Sequence, residues 1–522
     1  MLPSGAVFFI LISAVLLAAI LAWVVAALYR RGMLALMRGG STPASAVPIA
    51  ASVTPPDAHP IPQASAGRAK LAANRQATIR LMLVLSGISL LIALTQSLLA
   101  LLFVYGEGEL RLSRVLLLGA VYAWPMVLAW GLARCWSWLR VLGGIGAYMA
   151  AMLMLVMARS TEAQTLASVS SWLGSQVAIP MTIALLIGAS GRIRAVAPYL
   201  LPPTLLLTGS SVLTLQIMAQ GSPDPAPWVM GLVHILGAYP TLFLFAIGPW
   251  LILSWPVFIL GKWLASAYRA KRFSDLIYLI ATYWFLILFA SALTAMESVG
   301  WLAFVELLAL LWLPLVLLCL RNALKPPPGP PTLLVLRVFQ RDAQVERLFD
   351  QVIERWRLTG NTVLIAGTDL LSRTLDPDDL FIYLNGALAE RFIARPDQVN
   401  ERLNGFDWLP DPDGRYRINE CYCFDSTWQI ALNILVARAD VVLMDLRGFH
   451  AENHGCRYEL GVLARDSHLH RVVLLYDRVT DRAEAQSEID EPAAGRFTWL
   501  SADRMDSTMA HRVLSALFDP VD

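Results

Sequence analysis

The chain has 522 residues, 57% of them apolar, with 17 Trp and only 15% charged residues. That composition excludes a soluble enzyme of this length and points to a multi-pass membrane protein. The net charge of +2 hides a division, since residues 1–329 hold 20 Lys+Arg against 8 Asp+Glu and residues 330–522 hold 21 against 31. A basic membrane half is joined to an acidic soluble half, and no lysine follows Lys325.

The first apolar run, residues 6–28, has about the length that crosses a bilayer. No Lys or Arg precedes it, and Arg30 and Arg31 follow it. This is the reverse of a cleavable signal peptide, so residues 1–38 read as an uncleaved first span with its amino end outside. Residues 39–78 form a cytoplasmic linker rich in Pro, Ala and Ser, including Pro55, Pro56, Pro60 and Pro62; such a stretch cannot pack a core. Apolar runs at about 80–105, 115–133, 138–157, 172–190, 197–218, 240–264, 276–296 and 301–320 then give residues 79–325 about eight further spans.

Threading these runs alternately places Arg68, Lys70, Arg75, Arg80, Arg134, Arg140, Arg192, Arg194, Arg269, Lys271, Arg272, Arg321 and Lys325 on one side. Only Arg111, Arg114 and Arg159 fall on the other. Positive residues gather on the cytoplasmic face, so the expected topology is nine spans in a bacterial-type inner membrane with the carboxyl end inside. Residues 228–268 are long enough for two spans, but two would strand Arg269, Lys271 and Arg272 outside. One crossing kinked at Pro249 and Pro256, after an interfacial segment, fits the charges.

Ionisable residues inside spans are candidates for transport or proton relay. Glu297 and Glu306 fall near the outer ends of the last two spans, and His234 in the ambiguous stretch. The expectation is two carboxylates wetted at the interface and a histidine bonded to a neighbouring helix. No midplane chain of charges and no matched pair of broken helices suggests a transporter. The membrane half reads as an anchor or a sensor.

PPPGPP opens the proline-rich linker 326–332 and ends the last helix, because proline cannot continue it. Residues 333–522 then alternate short apolar runs with helical stretches. The predicted elements are strand Leu333–Phe339, helix Asp342–Arg357, strand Thr362–Ala366, helix Asp378–Phe392, a loop-rich Pro396–Gly414 and an extended Arg415–Phe424. They continue with helix Thr427–Arg438, strand Val441–Leu446, helix Asn453–Asp466, a last strand Val472–Tyr476 and a closing helix Met505–Phe518. Alternation of this kind predicts an α/β domain of flavodoxin-like type with a parallel sheet covered on both faces, following the all-α transmembrane region.

The stretch Ala439–Arg465 carries the candidate site. Strand Val441–Leu446 passes through a loop with Arg447, Gly448 and His450 into a helix for which Asn453 is a plausible N-cap. The arrangement gathers Asp445, Arg447 and Glu459 beyond the strand's carboxyl end, where such units hold ligands. Three and four residues from Glu459 stand Cys456, Gly455, Val462 and Leu463, so no cation on its own helix pairs with it. It shares a face with Cys456, Leu460 and Leu463, which should point inward, and an inward carboxylate without a local partner suggests function over a solvated helix surface. Asp445 is either a site residue or a helix-capping acceptor, while Arg447 and His450 read as loop residues in solvent.

Other candidates are weaker. The five cysteines are an odd number with no framework spacing, and Cys421 and Cys423, on one strand face, lack the two further ligands of a zinc site. Asp411-Pro412-Asp413-Gly414 lacks the spaced ligands of a calcium loop and reads as a hairpin turn. No metal is expected.

Phe339-Gln340-Arg341-Asp342 at the end of the first strand resembles the opening of a Toll/interleukin-1 receptor (TIR) domain. Ala439-Asp440 leading into Val441–Leu446, followed by Cys456-Arg457-Tyr458-Glu459-Leu460, is similar to the third strand and the C-x-x-E-L box of that family. Nucleoside deoxyribosyltransferase-like proteins share the fold and a similarly placed Glu. The resemblance covers residues 335–480; the first strand lacks the usual Ser-Tyr after Phe339, and residues 367–425 form a longer insertion than the family's loop there. It implies that Glu459 is the catalytic carboxylate of NAD cleavage, with NAD a substrate and no cofactor needed. Phe339, Arg341, Asp342, Asp445 and Arg447 would surround the nucleotide, and Phe339, Phe449 or Trp428 would stack on a ring. The partners it implies are the lipid bilayer, a nucleotide and further copies of the TIR-like domain, with no nucleic acid. The function expected is a membrane-anchored signalling or defence protein that cleaves or binds NAD or a related nucleotide. Two other readings stay open: a non-catalytic TIR-like interaction module on a membrane sensor, and a transporter regulated by its tail that would need Glu297 or Glu306.

Overall fold

The computed structural model describes residues 4–39, 71–105, 110–159, 165–188, 191–219, 226–338, 343–366, 377–424, 426–489 and 491–518. Most of the linker 39–78, and Phe339, Arg341 and Asp342 of the candidate site, lie outside them. The chain divides into two compact units.

The first unit comprises Met1–Leu28, Leu83–Cys319 and Leu375–Phe381. It holds all or part of the helices α1 Ser4–Gly39, α2 Leu71–Phe103, α3 Leu112–Tyr122, α4 Pro125–Ala133, α5 Trp138–Arg159, α6 Leu166–Gly188, α7 Gly191–Ala219, α8 Pro227–Leu236, α9 Ala238–Arg269, α10 Asp275–Val299 and α11 Trp312–Leu324, with a 3-10 segment Gly300–Leu311 before the last. Among the described residues, eight helical stretches are long and apolar enough to cross a membrane, and this is a membrane protein.

The last of the eight, Asp275–Leu324, runs for 50 residues, but it is not one rod. Gly300 sits at φ +63°, a conformation that costs glycine nothing, and the 3-10 segment packs back along α10. The stretch 228–268 is a short helix, α8, separated by Gly237 at φ +89° from the single long α9, which contains Pro249 and Pro256.

The second unit comprises Tyr29–Met82, Leu320–Thr374 and Ile382–Asp522. Its strands are β1 Thr332–Arg337, β2 Asn361–Ile365, β3 Phe392–Ile393, β4 Ile418–Cys423, β5 Val441–Asp445, β6 Arg471–Tyr476 and β7 Phe497–Ser501. They form one parallel sheet in the order β3-β4-β2-β1-β5-β6-β7. Without β3 and β4 that order is flavodoxin-like, with the chain building outward from β1 through β2 and then crossing back to β5. The insertion 367–425 supplies β3 and β4, so it widens the sheet beyond β2.

The helices that follow the strands are α12 Ala343–Leu348, α13 Glu354–Trp356, α14 Pro377–Leu384, α15 Gln398–Asn404, α16 Trp428–Arg438, α17 His454–Arg465, α18 Arg482–Ser487 and α19 Ser507–Leu517. Residues of α15, α16 and α17 share a core with Leu334, Leu336, Val363, Val442, Met444, Val472 and Leu474. The alternate positions Leu333, Val335, Leu443 and Val473 are equally buried, and α19 packs on β5 and β6. Both faces are covered, which is why these strands read as continuous apolar runs.

Four expectations need correction. Val472–Tyr476 is not the last strand: β7 pairs with β6 at the sheet edge, and its half-exposed pattern carries too short an apolar run to stand out. The helix expected over Asp378–Phe392 breaks at Gly386, φ +72°, into α14 and a short 3-10 turn. The loop-rich Pro396–Gly414 holds α15. Asp411–Gly414 is a tight turn, with Gly414 N donating to Asp411 O at 2.9 Å, but it leads into a parallel strand, so it closes no hairpin.

Candidate functional site

The crossing from β2 through β4 to β5 leaves β1 and β5 as the pair at which the strand order reverses. Open α/β sheets bind ligands beyond the carboxyl ends of such a pair. Arg337 ends β1 and Asp445 ends β5, and the two are register partners. Immediately after β5, Gly448 at φ +72° turns the chain, and its N–H donates to Asp477 Oδ1 at 3.1 Å. The turn delivers α17 with Cys456, Glu459, Leu460 and Leu463 on its buried face.

Glu459 is only 5% exposed. Burial pushes its carboxyl up to about 8, against smaller opposing effects from a Cys456 hydrogen bond and the positive charge of Arg337. Its Oε2 is buried and, among the described residues, without a hydrogen-bond partner. An orphaned oxygen of this kind is rare in folded proteins and asks for an explanation. The Cys456 thiol lies 4.0 Å from Arg337 O. Burial and the neighbouring Glu459 charge push that thiol up, which leaves it a poor nucleophile.

Asp445 and Arg447 form a second group. Arg447 Nε and Nη2 reach Asp445 Oδ1 and Oδ2 at 2.7 and 2.5 Å, and Arg447 N adds a 3.2 Å bond to Oδ1. Both side chains are buried, 8% and 5% exposed, so Arg447 is no solvated loop residue. Asp445 caps no helix; it holds Arg447. No hydrogen bond joins this pair to Glu459 among the described residues, so the structure brings Asp445 and Arg447 together and sets Glu459 beside Arg337.

Other expected residues are placed differently. Phe449 is fully buried in the core and cannot stack on a ligand. Trp428 is packed edge-on against Tyr458, centroids 5.4 Å apart. Asn453 stands at the N-cap position of α17, but its side chain accepts from His450 N at 2.8 Å and caps nothing. His450 is exposed. Phe339, Arg341 and Asp342 lie outside the described residues.

Sequence reasoning missed Arg337. The available signal was an arginine closing a strand that is otherwise apolar. All five cysteines are free thiols, and Cys421 and Cys423 approach to 3.4 Å between sulfurs. Among the described residues no group of three or more His, Cys, Asp or Glu is arranged to hold a metal. No protein-family model matches the chain, and no curated protein matches it either.

Proposed function

We propose that the second unit is a TIR-like nucleotide-binding domain on the cytoplasmic side of a bacterial-type inner membrane, and that it cleaves the N-glycosidic bond of NAD with Glu459 as its carboxylate. The observation that carries this reading is the burial of Glu459, one oxygen orphaned, at the point where the strand order reverses.

The chemistry asks little of the protein. The bond from ribose C1′ to nicotinamide nitrogen breaks with its electron pair going to the ring, which leaves neutral. The oxocarbenium-like C1′ is stabilised by the Glu459 carboxylate until water adds and releases a proton. No general acid is needed for a neutral leaving group. Arg337, whose field already reaches Glu459, favours the ionised carboxylate and is suited to a phosphate through its fork.

The test uses the full-length protein in nanodiscs, since the second unit also includes Tyr29–Met82 and a 330–522 fragment would lose part of it. Nicotinamide release from NAD is expected. Glu459→Gln should lower it on the order of 100-fold or more without loss of the fold. Because only the ionised form can stabilise C1′, kcat/KM should rise about tenfold between pH 7 and pH 9, through the raised value near 8. No release from a folded, self-associating protein would replace this reading with a non-catalytic interaction module.

A further inference from the structure

Among the described residues, Glu306 is the one buried carboxylate of the first unit, 2% exposed. It was expected at the outer end of a span, wetted at the interface; the structure buries it inside the helices. Glu297 is the residue at the helix end, exposed and accepting from Ser4 Oγ at 3.0 Å. His234 is also exposed, with Nδ1 3.0 Å from Met230 O of its own helix rather than a neighbouring one.

The fold-back at Gly300 sets Glu306 against α10. Ser291 and Glu306 are 15 residues apart, too far to touch along one helix, yet Ser291 Oγ donates to Glu306 Oε2 at 3.0 Å. Glu306 stands six residues beyond the turn, roughly 12 Å at the 3-10 rise. With the turn at the interface, that depth lies well inside a hydrocarbon layer about 30 Å thick. Gln96 of α2 closes the third side, its Nε2 donating to Glu306 Oε2 at 3.3 Å and to Ser291 Oγ at 3.2 Å.

Two features point to a ligand. The partners of the carboxylate are a hydroxyl and an amide, both neutral, so nothing in them balances a negative charge. Gln96 Oε1 is also buried and has no hydrogen-bond partner among the described residues. Among the described residues a phenol also faces the site: Tyr122 interacts with both Glu306 and Tyr105. An isolated carboxylate removed from water needs a positive partner or a proton.

We propose that Glu306, Ser291 and Gln96 form a proton-binding site inside the membrane unit, which makes that unit responsive to pH. The three side chains serve both states without moving the backbone. When Glu306 is ionised, Gln96 Nε2 and Ser291 Oγ donate to it, as observed. When it carries a proton, a half-turn of the Gln96 amide presents Oε1 to the new O–H, while Ser291 still donates. A metal cation would fit less well, since Glu306, Ser291 and Gln96 supply fewer oxygens than its coordination sphere takes.

Infrared difference spectroscopy on the full-length protein in nanodiscs, titrated between about pH 5 and pH 9, tests the site. A protonated-carboxyl C=O band that responds to pH and vanishes in Glu306→Gln is the expected result. Ser291→Ala should shift that band to higher frequency, because it removes a donor to the carboxyl group; this second variant keeps the test sound if Glu306→Gln does not fold. Identical spectra for wild type and both variants would overturn the proposal. So would displacement of the band by Na+ at constant pH, which would mark a metal cation as the ligand.

Discussion

The two units deal with buried charge in opposite ways. In the first, the hydrogen-bond partners of the buried carboxylate Glu306 among the described residues are a serine and a glutamine. In the second, Asp411, Asp413 and Asp445 are each met by an arginine: Arg417, Arg415 and Arg447. Composition explains the contrast. Spans of almost uniform apolarity bring few cations into the bilayer, whereas every cation after Lys325 in the second half is an arginine or a histidine. The planar fork of arginine suits bidentate pairing away from water better than the point charge of lysine. Glu459 departs from its own unit's habit: it is as buried as the three aspartates, yet among the described residues one of its oxygens has no hydrogen-bond partner. That contrast is what the proposed role of Glu459 rests on.

The sharpest way to break that comparison is to remove a partner. Arg417 holds Asp411, whose side chain is 1% exposed, through Nε at 3.1 Å and Nη2 at 2.8 Å. Arg417→Ala would take that fork away from a buried carboxylate, and it should destabilise the second unit by about 3–5 kcal/mol, read as a lowered apparent Tm. Arg417→Lys keeps the charge and loses the fork, so it should cost clearly less than the alanine but remain measurable. Equal effects would mean that the fork geometry, and not the charge, holds the turn; a lysine variant indistinguishable from wild type would mean that charge alone does.

A smaller and pH-dependent effect belongs to Glu459. Its carboxyl is raised from 4.5 to about 8 by burial, so between those values the folded state holds a proton that the unfolded chain has lost. Stability therefore falls as pH rises through this window, and the loss is complete above about pH 8. Glu459→Gln abolishes that titration. Relative to wild type it should be unchanged near pH 4 and more stable at pH 8 by on the order of a few kcal/mol. A flat difference across the range would show that Glu459 is solvated, and the catalytic proposal would go with it.

How far these features could be read from sequence follows from the range of the interactions that make them. Apolar runs are local, so the spans were visible, though the helices run several residues past the apolar stretches, and the central strands β1, β2, β5 and β6 were visible within a residue or two of their ends. The inward face of Glu459 was also local, set by Cys456, Leu460 and Leu463 on the same helix. The company a charge keeps is not local. Gln96 meets Glu306 across 210 residues, and Arg337 meets the α17 site only because β1 and β5 are register partners. The acidic turn at Asp411–Gly414 read only as a hairpin turn because nothing in its four residues shows the arginines that close over it. Those arginines, Arg415 and Arg417, were adjacent all along, and alternation along an extended strand was the missed clue.

The smallest effect sets the lower bound of the comparison. Arg478 and Asp503 also form an ion pair, Nε to Oδ2 at 3.2 Å, but their side chains are 89% and 42% exposed. Water already solvates both groups, salt screens them, and holding two mobile side chains in one geometry costs entropy. Asp503→Ala should therefore change the apparent Tm by no more than about 0.5 kcal/mol would, and that small change should fade as salt is added. The exposed pair is the reference against which the cost of breaking the buried, forked Arg417–Asp411 pair is read. If the exposed pair proved as costly as the buried one, burial would not be what sets the cost and the special standing of Glu459 as an incompletely satisfied buried charge would lose its physical basis.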